Sequence, residues 1–346
     1  MYERASYDGI AGAMEMATVS LITVNFNGRH FLDELFASLA RQSRPAEQVI
    51  LVDNASTDGS VAYVAEHFPW VEIVALAENV GFAEGNNAGM ARATGAYIAL
   101  LNSDTVVDGR WLEESVRALE DDRRNGAAVS KIYLADAEPP RLDCAGAEFD
   151  NLGFCWGRGA NQLDRGQFER PEEVPALTAC ALILRRTSLN DLPLFDRQLF
   201  MYYEEFDLSL RVRGAGFRIV YAPQAIVYHK RSQSVKRADA DPVIFQQFYG
   251  NRNRVKILLK YYPASVLLSS LPLIGGSLLY WNLVFLRVKG PRFFLGAIGA
   301  QLRYGLQGLR ERSPDTRMGG AAWRPWMTRH TLRQVRALRA TFQQEP

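Results

Sequence analysis

The chain has 346 residues, enough for about two domains, and its 48% apolar and 23% charged content is that of a globular protein, which excludes a mostly disordered or collagen-like chain. The net charge of +2 hides a split: residues 251–346 carry 16 Lys and Arg against three acids, net +13, and residues 1–250 are left at net −11. An acidic body suits metal binding or solubility, and a basic, apolar tail suits an anionic surface, either membrane or nucleic acid.

Residues 1–17 contain Glu3, Arg4, Asp8 and Glu15 and no long apolar core, so they are expected to be an N-terminal extension and not a signal peptide. From residue 18 to 131, apolar runs at Val19–Val24, Val49–Val52, Val71–Leu76 and Tyr97–Leu101 alternate with helical stretches at Gly28–Arg41, Gly59–His67, Phe82–Ala93 and Gly109–Asp121. Short apolar strands separated by helices predict βαβ units and an α/β chain with a mainly parallel sheet. Asp58 is placed to cap the helix that begins at Gly59.

Residues 132–176, rich in Gly, Pro and charge, are expected to form a loop-rich insertion with a hairpin or two. Leu177–Leu184 reads as a strand, Tyr203–Arg213 as a helix stopped by Gly214, and Phe217–Tyr221 and Ala225–Tyr228 as two short strands. Phe245–Tyr262 predicts a helix. Ala264–Leu286 is a run of 23 uncharged residues, long enough to cross a hydrocarbon core of about 30 Å. Pro272, Gly275-Gly276 and Asn282 interrupt it, so the expectation there is a broken helical hairpin in the cytoplasmic leaflet, or an interface between copies of the chain. Phe293–Ala300 is too short to span, and Met327–Phe342 sets Arg329, Arg333, Arg336 and Arg339 along one side of a helix. The expected organisation is an extension at 1–17, a catalytic domain at 18–241 with halves 18–131 and 132–241, and a helical, membrane-associated region at 242–346.

Cys144, Cys155 and Cys180 are too few and too scattered for a disulfide framework or a Cys-rich zinc site, so a reducing compartment is expected. There is no Walker-type phosphate loop and no G-x-G-x-x-G after the first strand, which argues against a P-loop enzyme and an NAD enzyme. A nucleotidyltransferase is expected to carry a Gly-rich basic loop at that point, which is absent. Nucleic-acid binding would account for the basic tail but not for the uncharged run, so no nucleic-acid partner is expected.

In open α/β sheets, functional residues sit on loops at the carboxyl ends of the strands. Three polar clusters fall there: Asn25-Phe26-Asn27, Asp53 through Asp58, and Asn102-Ser103-Asp104. Asp104 is either a ligand to a hard divalent cation or a capping residue, and Asp53 and Asp58 are either site or turn residues. Glu204, Glu205 and Asp207 crowd one helix start, where the helix dipole tolerates anions and where one of them can serve as a general base. His229, which ends a strand, is either structural or a ligand.

Read in order, Val24–Asn27, Val52–Ser60, Asn79–Asn87, Leu101–Thr105, Met201–Leu208 and Val227–His229 resemble the motifs of family 2 inverting glycosyltransferases of the GT-A fold, in the rhamnosyltransferase-like branch. The resemblance covers roughly residues 18–235, and the basic, apolar tail is similar to the membrane-associated tails of that branch. It implies that Val24, Asn25, Phe26, Asn27 and Asp53 line the donor's base pocket, with Asp53 accepting from a pyrimidine N3–H, and that Asn54 and Asp58 belong to the donor site. It implies that Asn79, Gly81, Phe82, Gly85 and Asn86 approach the ribose and diphosphate. Asn102-Ser103-Asp104 stands where the family has its Asp-x-Asp-type motif, so Asp104, with His229, would hold Mg²⁺ or Mn²⁺, and Asn102 and Ser103 would face the donor. Cys180, Ala181, Tyr203 and Asp207 fall on the acceptor side.

The family's catalytic Glu-Asp pair is Glu204-Glu205 here, which puts the base at Glu205 or at its neighbour Glu204. The implied activity is transfer of a sugar, first L-rhamnose from dTDP-rhamnose and next a UDP-sugar, to a saccharide or polyprenyl-linked acceptor at the cytoplasmic membrane face. A catalytically silent relative that only binds sugar nucleotide or scaffolds a complex is the second reading.

Overall fold

The structure, a computed structural model, describes residues 17–231, 241–312 and 324–328. The elements run β1 (Val19–Asn25), α1 (Arg29–Ala40), β2 (Gln48–Asp53), α2 (Ser60–His67), β3 (Glu72–Ala75), α3 (Gly81–Met90), β4 (Tyr97–Leu101), β5 (Thr105–Val107), α4 (Trp111–Glu120), β6 (Asn125–Leu134), β7 (Leu142–Cys144), β8 (Ala147–Phe149) and β9 (Cys155–Gly157). They continue with β10 (Glu172–Glu173), β11 (Ala181–Arg185), α5 (Glu204–Gly214), β12 (Arg218–His229), α6 (Pro242–Tyr261), α7 (Ala264–Lys289) and α8 (Pro291–Glu311). Most of residues 1–17, and the Arg329–Arg339 stripe, lie outside the described residues.

The main sheet has the order β10-β12-β6-β11-β4-β1-β2-β3. β3, β2, β1 and β4 are parallel, β11 is antiparallel to both its neighbours, and β6 and β12 run parallel to one another. Both faces of the sheet are covered, and the strands alternate accordingly. Val19, Leu21, Val49, Leu51, Tyr97 and Ala99 point into one core with α1 and α4. Ile22, Ile50, Val52, Ile98 and Leu100 point into the other, with α3 and α5. Near-continuous apolar strands are what a sheet buried on both sides requires.

Three expectations are corrected. The insertion at 132–176 is preceded by a central strand, β6, that sequence periodicity did not mark. Its Gly126, Ala127, Ala128, Ser130 and Lys131 have weak strand propensity, and Lys131 is buried because Asp164 (2.8 Å) and Glu169 (2.5 Å) neutralise it. The two short strands at 217–228 are one strand, β12, with a register shift between Ala222 and Ile226. The hairpin expected inside Ala264–Leu286 is not there. α7 continues through Pro272, and the chain turns at Gly290, whose φ of +85° suits glycine alone. One proline forfeits one ladder hydrogen bond, which a 26-residue helix already propagating on both sides absorbs.

α6 is built into the body. Ile257, Leu258 and Tyr261 join Phe149, Phe206 and Leu210 in a third core. Lys256 pairs with Asp196 and Glu311, while Lys260 meets Asp207 at 3.2 Å and Glu311 at 3.1 Å, tying α6 to α5 and α8. Asn282 and Gln301 exchange hydrogen bonds between α7 and α8 (3.0 and 3.3 Å). The outer faces of this pair expose Leu268, Leu271, Leu279, Leu283, Leu295 and Leu302. α7 is long and apolar enough to cross a membrane by length and composition.

Candidate active site

The carboxyl ends of β1 and β2 are stitched together. Asn25 is fully buried, and its Nδ2 donates to Asp53 Oδ2 (3.2 Å), Ser56 Oγ (3.2 Å) and Ser60 Oγ (3.0 Å). Asp53 Oδ1 accepts from Ser56 N (2.9 Å). Asn27, at φ +51°, accepts from Thr57 N (2.8 Å), while Phe26 between them faces solvent. Asp58 accepts from Ser60 N and from Arg29 N (3.1 and 2.9 Å), so it ties the first residue of α2 to the start of α1; the cap position itself is Gly59, at φ +81°, and not Asp58 as expected. The Asp58 pKa lies below the usual carboxylate range because these hydrogen bonds outweigh burial.

The next layer is equally defined. Asn54 donates to Asn79 Oδ1 (2.9 Å) and Gly81 O (3.2 Å) and accepts from Val80 N (2.9 Å). Gly81 has φ +84°, and a Cβ there would sit 2.5 Å from Phe200 O. A Cβ on Gly85 would press on Val24 at 3.0 Å. Asn86 is buried and donates back to Phe82 O (2.9 Å), and the Phe82 ring packs 6.1 Å from Phe195. The structure thus brings the segments 25–27, 53–58 and 79–86 to one edge of the sheet.

The end of β4 meets the end of β12. Asp104 Oδ1 lies 3.2 Å from His229 Nε2, and His229 Nδ1 lies 2.6 Å from Asp143 Oδ2. Arg231 holds Asp143 in turn (2.6 Å). Burial works to lower the His229 pKa, but Cys180, Asp104 and Asp143 outweigh it and hold the imidazole well above its ordinary value. Asn102 N donates to Cys180 O (2.9 Å), and Asn102 Oδ1 is buried with no partner.

These residues fit a divalent cation. A carboxylate and an imidazole face each other, a second carboxylate fixes the far ring nitrogen as metal-binding histidines are fixed, and an unpartnered amide oxygen lies on the Asp104 segment. Asp143, Cys180 and His229 also bring their ligand atoms within 4.8 Å of one another. Asp143 and Arg231 were not singled out in the sequence. The alternation Leu142-Asp143-Cys144 marks a short strand, but its pairing with β6 depends on the fold.

Glu204 and Glu205 open α5. Three residues just before them, Phe200, Tyr202 and Tyr203, have positive φ (62°, 68° and 73°), rare for such side chains and characteristic of functional sites. Glu204 is buried and Glu205 partly buried, and the Oε2 atom of each has no hydrogen-bond partner. Burial pushes the Glu205 carboxyl up to about 6; burial and the charge of Glu205 raise Glu204 further.

Asp207, by contrast, is spent. It is buried and bonded to Arg211 (2.8 Å), Tyr261 (2.7 Å) and Lys260 (3.2 Å), so it organises α5 against α6. Ala181 is fully buried in the core, and Tyr203 packs its ring 6.2 Å from Phe206.

An open sheet with its polar edge at the strand ends and β11 reversed between β4 and β6 is the frame of a nucleotide-diphospho-sugar transferase, and the fold is GT-A. The model of the family "Glycosyl transferase family 2" matches residues 20–192, half of the chain, and the chain belongs to that family of glycosyltransferases. It is 28% identical over 241 residues to "N-acetylglucosaminyl-diphospho-decaprenol L-rhamnosyltransferase" of Mycobacterium tuberculosis (strain CDC 1551 / Oshkosh), covering 64% of this chain and 78% of that protein. It is 29% identical over 233 residues to "O-antigen biosynthesis protein RfbC" of Myxococcus xanthus, covering 64% of this chain and 18% of that protein. Among solved structures, GalNAc-T7 with UDP, GalNAc and Mn²⁺ superposes with a TM-score of 0.58 at 17% identity, over 72% of this chain and about half (49%) of that one.

Proposed function

We propose that this chain is a metal-dependent inverting glycosyltransferase that moves L-rhamnose from dTDP-rhamnose to a hydroxyl of a saccharide or polyprenyl-linked acceptor in cell-surface polysaccharide synthesis. A UDP-sugar is the second donor candidate. One contrast carries the reading: the fold presents two acidic devices of different character. Asp104, aligned with His229 at 3.2 Å, suits a cation on a diphosphate. Glu204, buried, and Glu205, partly buried, each unpartnered at Oε2, suit a proton. The similarity to a rhamnosyltransferase acting on a decaprenol-linked substrate supports the choice of sugar and acceptor.

In this reading Val24, Asn25, Phe26, Asn27 and Asp53 receive the donor base, with Asn54 and Asp58 completing the donor site, and the turn from Asn79 to Asn86 approaches the ribose and diphosphate, where Gly81 and Gly85 leave room for close backbone approach. Asp104 and His229, with Asn102 and Ser103 alongside, hold Mg²⁺ or Mn²⁺. Such an ion, when bound, would neutralise the charge that develops on the leaving diphosphate. Glu205 takes the proton of the acceptor hydroxyl as that oxygen attacks the anomeric carbon. Attack from the face opposite the departing diphosphate inverts the configuration in one displacement. A carboxyl near pKa 6 is ionised at neutral pH and still basic enough to accept that proton.

The α7–α8 pair is proposed to seat the protein on the cytoplasmic membrane face. Its leucines are exposed along both helices, and Arg287, Lys289, Arg292, Arg303 and Arg310 supply positive charge for anionic headgroups. A second copy of the chain on the same face is the alternative occupant.

The test is a donor screen with purified protein, Mg²⁺ or Mn²⁺ and a lipid-linked saccharide acceptor, reading released nucleoside diphosphate. Turnover with dTDP-rhamnose is expected. Turnover with only a UDP-sugar moves the donor assignment, and dependence on no divalent cation removes the metal.

A further inference from the structure

The loop that leads to Glu204 and Glu205 holds three non-glycine residues at positive φ, each costing about 1 kcal/mol or more, and such a loop persists only when its surroundings over-determine it. The residue that determines it lies on another element. Asn253 of α6 is fully buried, and its Nδ2 donates to Leu199 O (2.9 Å), Met201 O (3.0 Å) and Tyr202 O (2.8 Å). An amide group has two hydrogens, so three carbonyls share them around one nitrogen and curl the chain about it.

The amide is itself oriented. Its Oδ1 accepts from Arg252 Nε (3.0 Å), and Arg252 Nη2 donates to Leu199 O (2.9 Å). The Arg252 guanidinium is fixed 4.5 Å from the Tyr249 ring centroid and 4.1 Å from that of Tyr304, so α6 and α8 both brace the clamp. On the far side of the loop, Phe200 O accepts from Ala83 N (3.1 Å) at the start of α3. The same loop therefore joins the acidic pair to the donor-side turn.

We infer that Asn253 is a positioning residue for catalysis: by gathering three carbonyls of the 199–202 loop, it aims Glu205 at the acceptor hydroxyl. This rests on the reading of Glu205 as the base. Asn253 touches no reacting atom itself. Its work is to keep the loop in a conformation the loop would leave if released, and with it the partial burial that keeps the carboxylate basic.

The test compares full-length wild type with Asn253→Ala, Asn253→Ser and Glu205→Gln, using one donor and acceptor pair over a range of pH. Asn253→Ala is expected to lower kcat about 10- to 100-fold, the size of effect seen when a supporting residue lets a catalytic group drift. The donor KM should stay within about threefold. The acidic limb of kcat should move to lower pH, because a released loop admits water to Glu205. Asn253→Ser keeps one donor and should fall between; it also serves if the alanine variant does not fold.

A purely structural role would lower Tm and the active fraction while leaving the pH limb and the kcat/KM split unmoved, and that result overturns the inference. Loss of turnover in Glu205→Gln beside wild-type kcat in the Asn253 variants overturns the positioning role alone. Retained turnover in Glu205→Gln overturns the base assignment, and the positioning role falls with it.

Discussion

Replacing Glu205 by glutamine should cost activity and gain stability, and both follow from one feature. The carboxylate has an oxygen with no protein partner, and burial raises its pKa from 4.5 to about 6. A carboxyl whose pKa is higher folded than unfolded disfavours the folded state once both forms are ionised. The penalty is absent below about pH 4.5, grows between there and pH 6, and is complete above. That rise corresponds to roughly 2 kcal/mol. Glu205→Gln removes the charge and keeps the shape, so it should stabilise the fold by up to about 2 kcal/mol at pH 7 and by little at pH 4.5.

The same change removes the base, so kcat should fall by about two orders of magnitude or more while donor affinity holds. In the wild type, kcat should decline as pH drops through about 6, because the carboxylate is then protonated. Denaturant melts at the two pH values and a steady-state nucleotide-release assay read both effects. Near-normal turnover would refute the base assignment, and unchanged stability at pH 7 would refute the uncompensated buried charge. If Glu204→Gln gives the pattern instead, the two residues exchange roles.

Asp104→Ala should abolish turnover and metal-dependent donor binding with the fold intact, as read by calorimetric titration of donor with and without Mn²⁺ and by circular dichroism; normal activity would remove Asp104 as the ligand. Gly81→Ala should destabilise by more than about 1 kcal/mol and raise donor KM, since the new Cβ meets Phe200 O at 2.5 Å on a positive-φ backbone; a neutral effect on both would contradict the strained turn. Leu279→Glu with Leu283→Glu and Leu302→Glu, all on exposed faces of α7 and α8, should release the protein from membranes while leaving Tm within a few degrees. Wild type should resist high salt and yield to detergent. Retention of the triple variant on membranes would refute the seating face, and its conversion from dimer to monomer without a change in membrane binding would assign that face to a second copy.

The near-continuous apolar runs of β1, β2 and β4, separated by helices, determined the two-sided sheet, and the polar clusters after those strands marked the site edge. Both were legible because such runs and their ends are local features of the chain. The order of the six motifs likewise carried the family, and the family model agrees over residues 20–192.

What only the tertiary structure decided are the pairings between distant segments. His229 and Asp143 are 86 residues apart, and Asp143 reaches the imidazole because β7 and β12 both pair with β6. β6 itself was invisible because its small and polar residues are strand-forming only between two neighbours that bury them. Arg252 and Lys260 read as basic residues of a tail helix; folded, Lys260 meets Asp207, Arg252 lies over Tyr304, and the uncharged Asn253 between them holds the loop before Glu204. A charge pattern records what a helix can meet, and which partner it meets is set by how the chain closes on itself.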